Sequence, residues 1–218
     1  MADQTVRQFE HAGLTVRLVD DDDFDRTSPF ENDNAGTIYS WTRDFDGDES
    51  IWCRDTVGGK PYALAGADNP NDLSSYFAAN HDAVLTLPLR YEDWGASGAR
   101  LRISDADSAN AVLVFTQADL DREWSGSVDD ATMYAEGRVR ELDNWLQGNV
   151  FGIVVEHDLG EAPMACDSVW GFIGDPWSDG DWEWFQSEGR AIAADVRDSI
   201  DYEEAERERW ACADVITI

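Results

Sequence analysis

Acidic side chains outnumber basic ones almost three to one in this chain: 46 Asp and Glu against 16 Lys and Arg, a net charge of −30 over 218 residues, with Lys60 the only lysine. A body so charged repels itself, so its fold must spread carboxylates over a hydrated surface and keep them out of the core. The material for a core is present, because 43% of the residues are hydrophobic and 11% aromatic. That content excludes a disordered acidic tail. The same negative field repels nucleic acid and anionic membrane and steers encounters toward opposite charge. No direct nucleic-acid binding and no membrane binding are expected, and a basic protein is the expected partner.

The acid runs through the whole sequence and thins only between Ile51 and Arg100. Two physical readings fit. Asp-rich, Lys-poor surfaces stay hydrated in molar salt, and Asp outnumbers Glu about two to one while Arg almost fully replaces Lys. Alternatively, a negative surface imitates the phosphate backbone and occupies the basic groove of a nucleic-acid-binding protein. The two can coexist.

Cys53, Cys166 and Cys212 are an odd number, far apart and without a C-x-x-C pair, so neither a disulfide framework nor a zinc site is expected. Met1 to Gly13 lacks the basic and apolar regions of a signal peptide, and no apolar run approaches the roughly 18 residues of a membrane span. A soluble protein of a reducing cytoplasm, host cytoplasm if viral, is the expectation.

Apolar periodicity predicts strands at Leu14 to Val19, Gly36 to Thr42, Ala83 to Tyr91, Arg100 to Ile103 and Ala111 to Phe115, the last a continuous apolar run suited to a central strand. Asn71 or Asp72 is expected to cap a short helix carrying Leu73, Tyr76 and Phe77. Further helices are predicted at Gln117 to Trp124 and from about Asp129 to Gln147, the second closed by Gly148. Val150 to Glu156 and Ser168 to Ile173 read as two more strands joined by a long polar loop. Gly152 and Gly171 within them suggest bulges or close backbone packing. From Asp181 to about Trp210 an amphipathic helix places Trp182, Phe185, Ile192, Val196 and Ile200 on one stripe. The expected class is α+β, a single domain over 1–218 with a mainly antiparallel sheet, packed helices and a long C-terminal amphipathic helix.

Three stretches together resemble a group of uncharacterised bacteriophage and prophage proteins. Asp33-Asn34-Ala35-Gly36-Thr37 is similar to that group's D-N-x-G-T before a strand, and Leu87-Pro88-Leu89-Arg90-Tyr91 to its L-P-L-x-x-Y. The most specific runs from Leu142 to Gly152 and then through Asp167-Ser168-Val169-Trp170-Gly171-Phe172-Ile173-Gly174, which resembles D-S-C-W-G-F-Y-G. Order and spacing agree over roughly residues 14 to 175. Where the group has W-H-R-R-Y this chain has Trp41-Thr42-Arg43-Asp44-Phe45, and Val169 stands in the cysteine's place. The resemblance implies a viral or mobile-element accessory protein and brings no known activity.

Among candidate sites, Asp44-x-Asp46-x-Asp48 with Asp55 superficially follows a calcium loop, but Glu49 stands where glycine is required and strands flank it. No metal and no cofactor are expected. His81-Asp82 and His157-Asp158 sit beside no recognisable nucleophile, there is no P-loop or G-x-G-x-x-G, and carboxylate pairs are too abundant to indicate glycosidase chemistry. Trp177, Trp182 and Trp184 crowd one segment, as interface anchors or as core contacts of the last helix. Trp170 and Phe172 are expected in the core, against the helix that carries Leu142 and Trp145.

The sequence is thus read as a non-enzymatic, virus-derived acidic protein that binds a basic host protein, one that handles nucleic acid or serves defence, by electrostatic imitation of nucleic acid or by occlusion. Its contact residues would be Asp20, Asp21, Asp22, Asp23 and Asp25, then Asp44, Asp46, Asp48 and Glu49, and on the final helix Glu203, Glu204, Glu206 and Glu208. The alternative is an accessory protein of a salt-adapted virus or host whose acid is solvation only; an enzyme of unrecognised type is the third reading.

Overall fold

A computed structural model of the chain describes residues 5–21, 35–42, 45, 49–50, 56–57, 60–61, 70–95, 98–158 and 163–214. In chain order its elements are β1 (Thr5–His11), β2 (Leu14–Asp20), β3 (Thr37–Ser40), β4 (Glu49–Ser50), β5 (Thr56–Val57), β6 (Lys60–Pro61), α1 (Pro70–His81), β7 (Ala83–Asp93), β8 (Ala99–Ile103), β9 (Ala111–Thr116), α2 (Gln117–Trp124), α3 (Val128–Leu146), β10 (Val150–Asp158), β11 (Pro163–Ile173) and α4 (Asp179–Asp214). The fold is α+β, and among the described residues pairing is antiparallel except between β3 and β4. Contacts divide the chain into two units, one running from Asp25 to Gly148 and one assembled from the residues on either side of it.

In the continuous unit the strand order is β4-β3-β9-β7-β8, with the separate hairpin β5-β6. The run Ala111 to Phe115 lies in the middle and is buried throughout, as its unbroken apolar sequence requires. One face of the sheet packs Leu89, Leu101, Leu113 and Phe115 against Leu120 of α2 and Ala135, Val139 and Leu142 of α3. The other packs Val112 and Val114 with Leu73 and Phe77 of α1. The helix boundaries have local causes. Thr116 and Asp119 form a reciprocal capping box for α2, and the Ser127 hydroxyl accepts the Asp130 N–H at the start of α3. The helix α1 opens on Pro70, one or two residues ahead of the caps expected at Asn71 or Asp72, because proline suits a first helical turn that needs no N–H donor.

Of the D-N-A-G-T stretch, Asp33 and Asn34 lie outside the described residues, and Ala35 and Gly36 have a structural role. Gly36 has φ +80°, and a Cβ there would fall 2.6 Å from the Phe115 ring. The guanidinium of Arg138, buried within α3, donates to the carbonyls of both Ala35 and Gly36 at 3.0 Å.

The second unit is a sheet of order β1-β2-β10-β11 with α4 across one face. Leu14, Val16 and Leu18 of β2 and Phe151, Ile153 and Val155 of β10 face Phe185, Ala193 and Val196 of α4. This is the stripe expected of the last helix. On the opposite face Arg17 and Glu156 form an ion pair, its side chains mostly shielded from water. β10 and β11 run further than their sequence patterns indicate and leave only 159–162 between them.

The core assignment of the last strand is corrected. Trp170 is 50% exposed, and Phe172 rests against Trp184 and Phe185 of α4, not on the helix of Leu142 and Trp145, which serves the other unit's core. The reason is the irregularity at Gly171, which sends the two rings to opposite faces: Phe172, paired with Phe151, lies on the α4 face, whereas Trp170, opposite Gly152, lies on the other.

Candidate interaction site

Two register irregularities divide β11, one at Gly171, whose φ is +90°, and one beside Cys166. Between them Asp167, Ser168, Val169 and Trp170 pair in unbroken order with Val155, Val154, Ile153 and Gly152. Side chains therefore alternate across the sheet. Val169, opposite Ile153, points to the α4 face and is 41% exposed. Trp170, opposite Gly152, points to the other face, and the absent Cβ of Gly152 makes room for its ring. Its indole N–H donates to the Ser168 hydroxyl at 3.3 Å, so the ring is held on one side and open on the other.

The aromatic exposure continues onto α4 and the segment before it. Trp184 packs edge-on against Phe172 at 5.7 Å between centroids yet stays 42% exposed, and Trp177 is 71% exposed. Trp182 is the core member of the three: the Arg7 guanidinium lies 3.8 Å from its ring centroid while donating to the Pro176 carbonyl at 2.7 Å. The sequence reading of this cluster as anchors or core thus divides, with Trp182 inside and Trp177 and Trp184 outside.

The acidic candidates are placed as follows. Asp20 ends β2 opposite Phe151, and Asp21 follows it, its N–H donating to the Val150 carbonyl at 3.0 Å. Asp22, Asp23, Asp25, Asp44, Asp46 and Asp48 lie outside the described residues, and of Glu49 only its backbone pairing in β4 beside Tyr39 is described. Glu203, Glu204, Glu206 and Glu208 come together on α4, where Glu206 is half-buried and the others exposed. Part of that charge is met locally: Arg207 pairs with Glu203 at 3.1 Å and Arg209 with Glu206 at 2.6 Å. Arg197 is bonded to Asp201, and that bond above all raises its pKa. Exposed pairs of this kind add little to stability.

His81 and the polar groups of one cleft have structural partners. His81 lies among the rings of Tyr39, Tyr76 and Phe77, 4.6 Å from the Tyr39 centroid. An open cleft of about 610 Å³ is lined by Arg90, Glu92, Arg102, Ile103, Ser104, Asp105 and Ser108. Its polar groups bind one another: Arg102 meets Glu92 at 3.1 Å, Arg90 donates to the Ser108 carbonyl, and Asp105 accepts the Ser108 N–H. Among the described residues no cluster of three His, Cys, Asp or Glu is arranged to hold a metal ion, and no helix is long and apolar enough to cross a membrane.

No protein-family model, curated protein or solved structure matches the chain. The exposed edge of β11 is the feature that sequence reasoning missed. A signal for it exists in the acid and glycine that bracket Val169-Trp170, since central strands are poor in both.

Proposed function

We propose that this is a virus-derived accessory protein that acts by binding a basic host protein. The likeness of three stretches to phage proteins supports the viral origin, and the charge of −30 supports the sign of the partner. The observation that carries the reading is the coexistence of that charge with exposed Trp170, Trp177 and Trp184 in one unit. Hydration in molar salt calls for carboxylates and gives no reason to expose three indoles, whereas binding surfaces concentrate tryptophan at their energetic centres. Carboxylates then speed the encounter and aromatic rings hold the complex.

A second reading is favoured by the even spread of acid over the sequence: part of the charge is solvation for a salt-rich milieu. It does not compete with the first. The test is affinity capture from the source lysate at low and high salt, with the native chain and the Trp184→Ala variant as baits. One basic protein retained by the native bait and lost with the variant is the expected result. Equal retention on both baits, or a broad salt-labile mixture, means simple ion exchange and removes the proposal.

A further inference from the structure

We propose that the outer edge of β11 takes up an extended, lysine- or arginine-bearing segment of the partner as a fifth strand, with Val169 and Trp170 gripping it from opposite faces. This deepens the partner-binding reading and rests on it.

Among the described residues β11 stands last in its sheet. The Ser168 N–H is bonded to the Asp167 carboxylate at 2.7 Å, which places this donor on the outer side of the strand, and Trp170, two residues on, presents its N–H the same way. Every residue from 166 to 171 is exposed. Edge strands are ordinarily blunted by lysine, proline or a covering element. The edge strand β8 of the other unit shows such cover: Asp143 of α3 accepts the Leu101 N–H at 2.8 Å while binding the Arg100 guanidinium through two bonds of 2.9 Å. Between its bulges β11 has neither lysine nor proline, and among the described residues the Ser168 N–H is met by the Asp167 side chain.

Charge selects the occupant. Within this unit, residues 149–189 contain nine acidic residues and no Lys or Arg. The cations of the sheet lie on β1 and β2, where Arg7 sits over Trp182 and Arg17 binds Glu156. A second copy of the chain would set like charge against like, whereas a basic strand is complementary. As it docks, its carbonyls replace the Asp167 carboxylate on the Ser168 N–H, and the freed carboxylate pairs with a cation of the incoming strand. Trp170 is already held by Gly152 and Ser168, so little side-chain freedom is lost.

The experiment titrates isotope-labelled protein with a heptapeptide of alternating lysine and valine, followed by amide NMR shifts. Controls are the same peptide N-methylated at alternate backbone nitrogens, a glutamate–valine heptapeptide, and the Ser168→Pro variant, which removes an outward donor and leaves the inner ladder intact. The expected result is shifts centred on Asp167 to Trp170, a dissociation constant at least tenfold weaker for the N-methylated peptide and for Ser168→Pro, and no binding of the glutamate peptide. Shifts centred on Glu203 to Glu208, equal affinity of the N-methylated peptide, or chain dimerisation abolished by Ser168→Pro would each overturn the proposal. If Ser168→Pro does not fold, the N-methylated peptide on the native chain decides alone. Capture of the same basic protein by a folded Ser168→Pro bait would sink the edge while sparing the partner reading.

Discussion

The ring of Trp170 occupies the space that a side chain on Gly152 would need. Gly152→Ala should therefore destabilise the protein by about 1–3 kcal/mol through overpacking. Trp170→Ala should cost about 2 kcal/mol, below the roughly 3–5 kcal/mol of a fully buried aromatic, because half the ring is already in water. The double substitution should cost clearly less than the sum, since the clash disappears with the ring. Urea unfolding of the three variants measures this, and strict additivity would mean that the two residues do not touch.

Arg138 ties α3 to the chain entering β3 through the carbonyls of Ala35 and Gly36. Arg138→Met keeps most of the side-chain volume and strands those acceptors, so a loss of about 2–4 kcal/mol is expected. Gly36→Ala meets both the Phe115 ring and an unfavourable positive φ, and should be at least as damaging. Shifts in the urea midpoint at constant slope are the readout.

Asp105 accepts the Ser108 N–H at 2.8 Å and the Ser108 hydroxyl at 3.3 Å, and the backbone bond foremost holds its pKa below the ordinary 3.8. A carboxylate depressed in the folded state contributes stability above its unfolded pKa and loses it as pH falls through the folded value. The turn at 105–108 should stay closed at neutral pH and open only below pH 3.8. The Ser108 amide shift should titrate with a midpoint under that value, and Asp105→Asn should abolish the titration.

Salt should stabilise the chain steeply. The Debye length falls from about 30 Å at 0.01 M to about 3 Å at 1 M, which removes most repulsion among exposed carboxylates. A melting temperature that climbs with KCl is expected, and a flat profile over that range would show that self-repulsion does not limit the fold.

Local chemistry made some of this structure legible and left the rest hidden. Ala111 to Phe115 and the periodic Val139, Leu142 and Leu146 announce their strand and helix because apolar spacing alone decides them. β1 escapes detection because Val6 and Phe9 are its only apolar residues before the turn. Trp170 misleads for a different reason. Strand alternation puts it on the same face as Phe172, but the irregularity at Gly171 turns it to the face opposite α4, and which face a helix covers is set by distant contacts that no local pattern encodes. The acid of α4 around Glu203 is legible from helical spacing, but its partial neutralisation by Arg207 and Arg209 emerges only from side-chain geometry.

The pairing of β2 with β10 also governs how the protein is made. Arg17 and Glu156, partners across those strands, are 139 residues apart in the chain. At the roughly 5–20 residues per second of synthesis, the nascent β1–β2 hairpin spends on the order of ten seconds without its neighbours. Throughout that interval Leu14, Val16 and Leu18 lack the strands and helix that later cover them. The hairpin's solubility then rests on its own polar residues and the aspartate run Asp20 to Asp23 at its end, before most of the finished carboxylate surface exists.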